Sequence, residues 1–342
     1  PGCCGPEGAP MTVPQRATLD DVARLAGVSS KTVSRVFTAR EMVAPETVER
    51  VLAAAKRLRF RPNTLARGLR RGGGTNTMGF IMGELSNPFY YKVASGIESE
   101  LAAHGYGLVV ATTDDTAEGE ERVADALLSQ RIAALMLIPV AEDQSYLEGE
   151  RHLGTPVIAI DRPARNLVAD SIVLENHRGV YDATMRLIAG GHRRIAYVCN
   201  PAAVYTQSER LRGYRDAMAT IGVTDTSPWE QLADDCTIAS EQLVKDVLAV
   251  GPTAILCGNN RMTIGALRAL RTLDPENRVA FFGFDDFDTA DVIGVSVSTY
   301  DPVELGRRAA QLALERIGDP SGFTRQIALP TWIIERGTGE RP

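Results

Sequence analysis

The sequence predicts a protein of the α/β class, with a small basic helical unit at the N-terminus and two following lobes of parallel sheet covered by helices. Three observations carry this prediction. Residues 18–37 hold two short helical patterns, each with its own end signals. From residue 78 onward, short β-rich apolar runs alternate with amphipathic helical stretches. The charge is also divided: residues 16–71 carry 13 Lys/Arg against 5 Asp/Glu, whereas the whole chain has a net charge of −6.

In the first helical pattern Leu19, Val22, Ala23 and Ala26 fall at i, i+3, i+4 and i+7 and form one apolar face. Thr18 is placed to cap this helix, with Asp21 three residues on in the manner of a capping box. Gly27 ends it, because glycine enters the left-handed conformation of a helix end at little cost. Val28 plugs the turn and Ser29 caps the second helix. On that helix Val33, Val36 and Phe37 face inward. Ser30, Lys31, Thr32, Ser34 and Arg35 point out, all with hydrogen-bonding side chains and none of them acidic. Two caps, a glycine turn and an acid-free outer face together predict a helix-turn-helix whose second helix enters a DNA major groove. Residues 38–44 read as a loop. Pro45 opens a third helix with Val48, Val51, Leu52 and Ala55 on its buried face, extended by Leu58. Pro62 stops it, and residues 63–70 read as a short helix that cannot persist alone in water, given its length and Gly68.

The strands expected next are residues 78–82, 108–111, 135–138, 157–160, 195–198, 254–257 and 279–282. Continuous apolar strands separated by helices predict parallel sheets covered on both faces. The pattern restarts near Ile195, so two similar lobes follow.

Composition narrows the function. No segment approaches the roughly 20 apolar residues of a membrane helix. Residues 1–17 read as a disordered extension; they lack the basic run and apolar core of a signal peptide. Five scattered cysteines without a CxxC pair read as thiols of a reducing cytoplasm, and four histidines have no metal-ligand spacing. No cofactor or metal is expected. No nucleophile elbow or zinc-protease motif is present, so an enzyme is not expected. A basic head on an acidic body is the electrostatic footprint of a nucleic-acid reader whose body repels DNA.

The run ATLDDVARLAGVS at residues 17–29, followed by TVSRV at 32–36, resembles the N-terminus of the lactose-repressor/galactose-repressor (LacI/GalR) family. The resemblance implies a headpiece at 18–62, a hinge helix and linker at 63–76, and a core like the periplasmic sugar-binding proteins. The chain would cross between lobes near 175–176, near 300–301 and near 319–322. The first lobe would then comprise 77–175 with 302–320, and the second 176–301 with 321–342. The resemblance further implies a cytoplasmic homodimeric repressor on a palindromic, double-stranded operator. Ser30, Lys31 and Arg35 would read bases, while Thr18, Ser29, Thr32 and Ser34 would contact phosphates. Leu69 of the hinge helix would wedge into the minor groove.

The resemblance also implies a small-molecule effector in a cleft between the lobes, at the carboxyl ends of strands from both. SNPFY at 86–90 resembles the family's SNPFF turn and offers Phe89 and Tyr90. Asp161 ends a strand like the aspartate of the family's LID. ERLRGY at 209–214 offers Arg210, GNNRM at 258–262 offers Asn259, and GFDD at 283–286 offers Asp285. The departures are Asn260 for an aspartate, Cys236 where an aromatic closes over the ligand, and Glu175 for an aspartate at a crossover. The effector is expected to be a sugar, nucleoside or related metabolite. A DNA-binding regulator with a vestigial cleft and a ligand-binding protein without a role in transcription are the alternatives.

Overall fold

The structure is a computed structural model that describes residues 17–61, 75–201, 203–233 and 241–340. The hinge position Leu69, with Gly68, and Cys236 lie outside the described residues. The chain divides into two compact units, residues 1–73 and 74–342.

In the first unit α1 (Leu19–Ala26), α2 (Ser30–Thr38) and α3 (Pro45–Arg57) surround a core of Val22, Val33, Val36, Val48 and Val51, with Ala23, Ala26, Ala54 and Ala55 between them. The capping box forms as its spacing dictates. The Thr18 hydroxyl accepts from the Asp21 amide, and the Asp21 carboxylate accepts from the Thr18 amide at 2.9 Å. Gly27 has φ +67°. The expected loop at 38–44 is more ordered than its sequence implied. Thr38 completes α2, and Arg40–Met42 makes one 3-10 turn.

The second unit holds two six-stranded sheets. The first contains β1 (Thr77–Met82), β2 (Gly107–Thr112), β3 (Leu135–Leu137), β4 (Val157–Asp161), β5 (Asp170–Leu174) and β11 (Gln326–Leu329), in the order β11-β5-β4-β3-β1-β2 and all parallel. The second contains β6 (Ile195–Cys199), β7 (Glu230–Leu232), β8 (Ala254–Cys257), β9 (Ala280–Phe284), β10 (Ser296–Thr299) and β12 (Trp332–Ile334), in the order β12-β10-β9-β8-β6-β7. Only β12 runs antiparallel, against β10.

Helices α4 (Pro88–Ala103), α5 (Ala117–Leu128), α6 (Glu148–His152) and α11 (Pro302–Gly318) belong with the first sheet. Helices α7 (Asn176–Ala189), α8 (Tyr205–Ala219), α9 (Glu241–Ala249) and α10 (Asn260–Leu273) belong with the second. Helices α4 and α11 approach so closely that a Cβ on Gly96 would meet the Val303 carbonyl, and one on Gly306 the Val93 carbonyl. Glycine is required at that crossing.

One expected crossing is displaced. The turn at 319–322 forms, with Asp319 Oδ1 accepting from the amide and hydroxyl of Ser321 at 3.1 and 2.7 Å. It reverses the chain within the first lobe instead of leaving it. Gln326–Leu329 then pairs with Ser171–Leu174 as the edge strand of the first sheet, and the chain crosses at residues 330–331. Residues 321–329 therefore pack with the first lobe, not the second. The turn signal was local and real, while the strand's destination depends on a partner far away in sequence.

Candidate functional site

On the helix-turn-helix unit the hydroxyls are more engaged than their exposure implied. Ser30 donates to Asp20 Oδ1 at 2.5 Å, tying the start of α2 to α1. The Thr18 hydroxyl donates to Asp21 at 2.7 Å. Ser29 accepts from the Thr32 amide at 3.1 Å, and the two hydroxyls lie 2.9 Å apart. These residues frame the turn. Lys31 and Arg35 are exposed on α2, and Ser34 is half-buried beside them. An exposed guanidinium one turn along a helix from an exposed ammonium suits base edges and phosphates.

In the second unit the carboxyl ends of strands from both sheets face a common cavity of about 400 Å³. It is lined from the first lobe by Glu84, Asn87, Phe89, Tyr90, Asp115, Val140, Asp161 and Arg162. The second lobe contributes Asn200, Pro201, Val204, Thr206, Gln207, Arg210, Asn259, Asn260, Arg261 and Asp285, and Tyr300 stands at a crossing. All six residues expected to meet an effector (Phe89, Tyr90, Asp161, Arg210, Asn259 and Asp285) thus line one cavity. Its size is that of a small-molecule site.

Two of these residues are held in unusual backbone. Asp161 ends β4 with φ +69°, and Asp285 follows β9 with φ +65°. A left-handed φ costs a non-glycine residue free energy that the surrounding fold must supply, and such residues gather at functional sites. Both side chains are buried. Burial pushes the Asp161 carboxyl above its ordinary range, against the pull of neighbouring Arg162 and Arg210. Asp115 is pushed up by the same cause. The Tyr90 phenol is driven up as well, by burial and then by the charge of Asp115.

Arg210 is buried, with its guanidinium 3.9 Å above the Phe284 ring. Its Nε donates to Asn176 Oδ1 and its Nη1 to the Gly258 carbonyl, both at 2.7 Å. Those bonds fix it at the cavity wall and leave less of its donor fork for a ligand than the sequence implied. Asn259 is likewise engaged. It caps α10 by accepting from the Met262 amide at 2.9 Å, and it donates to Asn200 at 2.5 Å.

Phe89 packs against Tyr90 and Tyr300, at 5.3 and 6.1 Å between ring centres. Contacts between the lobes surround the cavity. Asn260 Nδ2 donates to Asn87 Oδ1 at 3.0 Å, Arg261 pairs with Glu84 and donates to Ser86, and Lys92 pairs with Asp288 at 2.8 Å.

Among the described residues, three buried polar atoms on the cavity wall make no hydrogen bond: Gln207 Oε1, Asp285 Oδ1, and Arg162 Nε, whose ion-pair partner Asp161 Oδ2 lies 3.6 Å away. An unmade hydrogen bond on a buried group costs about 1–3 kcal/mol. The sequence reading did not single out Arg162 or Gln207. Gln207 had a usable signal, since it stands three residues before Arg210 on the same helix and so on the same face. Arg162 follows directly on Asp161, at the same strand end. No group of metal-binding side chains occurs among the described residues, and none of their helices is long and apolar enough to cross a membrane.

A helix-turn-helix unit followed by a two-lobed core with a polar cavity between the lobes defines a DNA-binding regulator that responds to a small molecule. The chain belongs to the LacI family of bacterial regulatory proteins. The profile "Bacterial regulatory proteins, lacI family" matches residues 18–63, and "Periplasmic binding proteins and sugar binding domain of LacI family" matches residues 75–331. The chain is 31% identical to the ribose operon repressor of Escherichia coli, over 94% of this chain and 99% of that one. It is 30% identical to the transcriptional repressor PurR of Vibrio cholerae, over 94% and 98%. It is also similar to the lac repressor dimer bound to operator and the anti-inducer ONPF, with TM-score 0.83, 25% identity, and coverage of 95% and 99%. These relatives are transcriptional repressors, and this chain is a DNA-binding regulator of the same kind.

Proposed function

We propose that the protein represses transcription as a homodimer on a palindromic operator, and that an uncharged polyhydroxyl molecule of monosaccharide size in the interlobe cavity sets its DNA affinity. The observation that carries the effector reading is the trio of atoms without a hydrogen bond. Gln207 Oε1 and Asp285 Oδ1 need donors, and Arg162 Nε, which has only Asp161 Oδ2 at 3.6 Å, has room for an acceptor. A hydroxyl is both, so neighbouring hydroxyls on one small ring meet all three needs. An anion fits poorly. Four carboxylates line the cavity against three arginines, of which Arg261 is paired with Glu84 and Arg210 is tied to Asn176 and Gly258. The likeness to a ribose operon repressor makes D-ribose the first ligand to try.

In this reading Lys31 and Arg35 make the base contacts, with Ser30 as an acceptor, while Thr18, Ser29, Thr32 and Ser34 border the phosphates. Leu69 acts as the minor-groove wedge. In the same reading the headpiece spans 18–62, the hinge helix and linker 63–76, and the lobes 77–175 with 302–329 and 176–301 with 330–342. Two-fold pairing matches a palindrome because one recognition helix reads only a few base pairs. The test is a thermal-shift series on the full chain with D-ribose, other pentoses and hexoses, ribose 5-phosphate and purines. A ligand at about 100 times its Kd adds roughly 2.7 kcal/mol of stability, a shift of several degrees. Neutral sugars should shift the wild type, and Gln207→Ala and Asp285→Ala should abolish the shift. A response confined to sugar phosphates or purines would refute the polyol assignment.

A further inference from the structure

Glu120 lies in the first turn of α5 and is completely buried, yet all its hydrogen bonds come from uncharged donors. A buried carboxylate persists as an anion only where hydrogen bonds replace its hydration. Here Oε2 accepts from the backbone amides of Val140 and Ala141. Oε1 accepts from Gln144 Nε2 at 3.1 Å and from the Tyr146 hydroxyl at 3.0 Å. All four donors belong to the loop after β3, residues 138–146, which supplies Val140 to the cavity wall.

The connection continues beyond that loop. Gln144, also fully buried, clasps the backbone of Arg165. Its amide donates to the Arg165 carbonyl at 2.9 Å, and its Oε1 accepts from the Arg165 amide at 2.7 Å. The clasped loop, residues 162–166, carries Arg162, whose Nε is one of the cavity atoms without a hydrogen bond. Arg165 then reaches across the cleft, its Nη2 donating to the Ala203 carbonyl at 3.2 Å, one residue before the cavity-lining Val204.

We propose that Glu120 is a positioning residue for the effector cavity. One buried charge fixes two cavity loops and, through Gln144 and Arg165, holds them against the second lobe. A satisfied buried network rigidifies what it joins, and a half-satisfied one loosens it. The consequence for ligand affinity rests on the effector reading above, whereas the coupling of the two loops stands without it.

The experiment uses the full chain, with hydrogen exchange read by mass spectrometry and D-ribose binding read by calorimetry. Glu120→Gln keeps the side-chain size but turns a donor toward two of the four donors. Exchange in 138–146 and in 162–166 should rise at least tenfold, with β3 and β4 unchanged. D-ribose should bind at least tenfold more weakly, while operator affinity without ligand stays within twofold. Gln144→Ala should release 162–166 and leave the Val140 and Ala141 amides protected, which decides the coupling even if the first variant does not fold. Unchanged exchange at 162–166 in both variants would overturn the coupling. Undiminished D-ribose affinity with both loops open would overturn the positioning role. If wild type does not bind D-ribose, the calorimetry uses the neutral sugar that shifts its melting; if no neutral sugar binds, the effector reading falls, and the exchange pattern alone decides whether Glu120 joins the loops.

Discussion

Asp161 and Asp285 each combine a left-handed backbone with a buried carboxylate, at equivalent ends of strands in the two lobes. For Asp161 the sign of the pH effect follows from burial. An unfolded aspartate ionises near pH 3.9, whereas the folded one holds its proton to higher pH. Ionisation therefore costs the folded protein stability. The cost is absent below the unfolded pKa, grows as pH rises, and is fully present above the folded pKa. Asp161→Asn keeps a residue that tolerates left-handed φ and removes the charge. Ligand-free protein should then melt higher at pH 7, the direction set by the raised pKa of the buried carboxyl. The gain should vanish toward pH 4 in a pH series of melting curves, and D-ribose binding should weaken. Arg210 makes the opposite prediction. Arg210→Ala removes a buried cation bonded to Asn176 and Gly258, so it should lower stability by about 3 kcal/mol or more in denaturant melts and lose the ligand-dependent shift.

The recognition helix is the element on which DNA reading turns. Arg35 stands exposed on α2, so Arg35→Ala should cost about 1–3 kcal/mol against the preferred operator and relax selectivity at one base pair, measured by binding to single-substitution operators. Ser30 is different, because its proton is held by Asp20. In the proposed reading it meets a base as an acceptor, so Asp20→Ala should alter selectivity at the same step without touching DNA. Local rules made this unit readable. The caps at Thr18 and Ser29, the Gly27 turn and Pro45 at the start of α3 are contacts within three or four residues. Gly27→Ala should destabilise the headpiece by about 1 kcal/mol, since its φ of +67° penalises a Cβ, and a thermal melt of the headpiece transition would read it.

At the scale of the molecule, legibility followed the distance of the partner. The seven continuous apolar strands were visible in their own residues; six of them are buried, whereas β2 lies at the edge of its sheet and is largely exposed. Strand β5 begins with Asp170, which reads as a turn until Arg316, 146 residues away, closes a bidentate pair on it. Strand β10 buries Ser296, Ser298 and Thr299, and β11 takes its place only by pairing with β5. The cavity followed the same rule. Motifs at strand ends brought six expected residues to one cavity, whereas Glu120 and Gln144 act through loops 20 or more residues away and carry no local signature.

The two lobes touch through Asn87–Asn260, Glu84–Arg261, Lys92–Asp288 and Arg165–Ala203, so a ligand that satisfies atoms of both lobes biases their closure. By linkage, it can alter DNA affinity only as far as it binds the DNA-competent state differently from the other. The most direct measurement is fluorescence anisotropy of the full chain on an operator selected from random duplexes, titrated with D-ribose. The account predicts a change in operator Kd of tenfold or more that saturates with D-ribose and is absent in Asp285→Ala. An operator Kd indifferent to every neutral sugar, or one that moves only with sugar phosphates or purines, would contradict it.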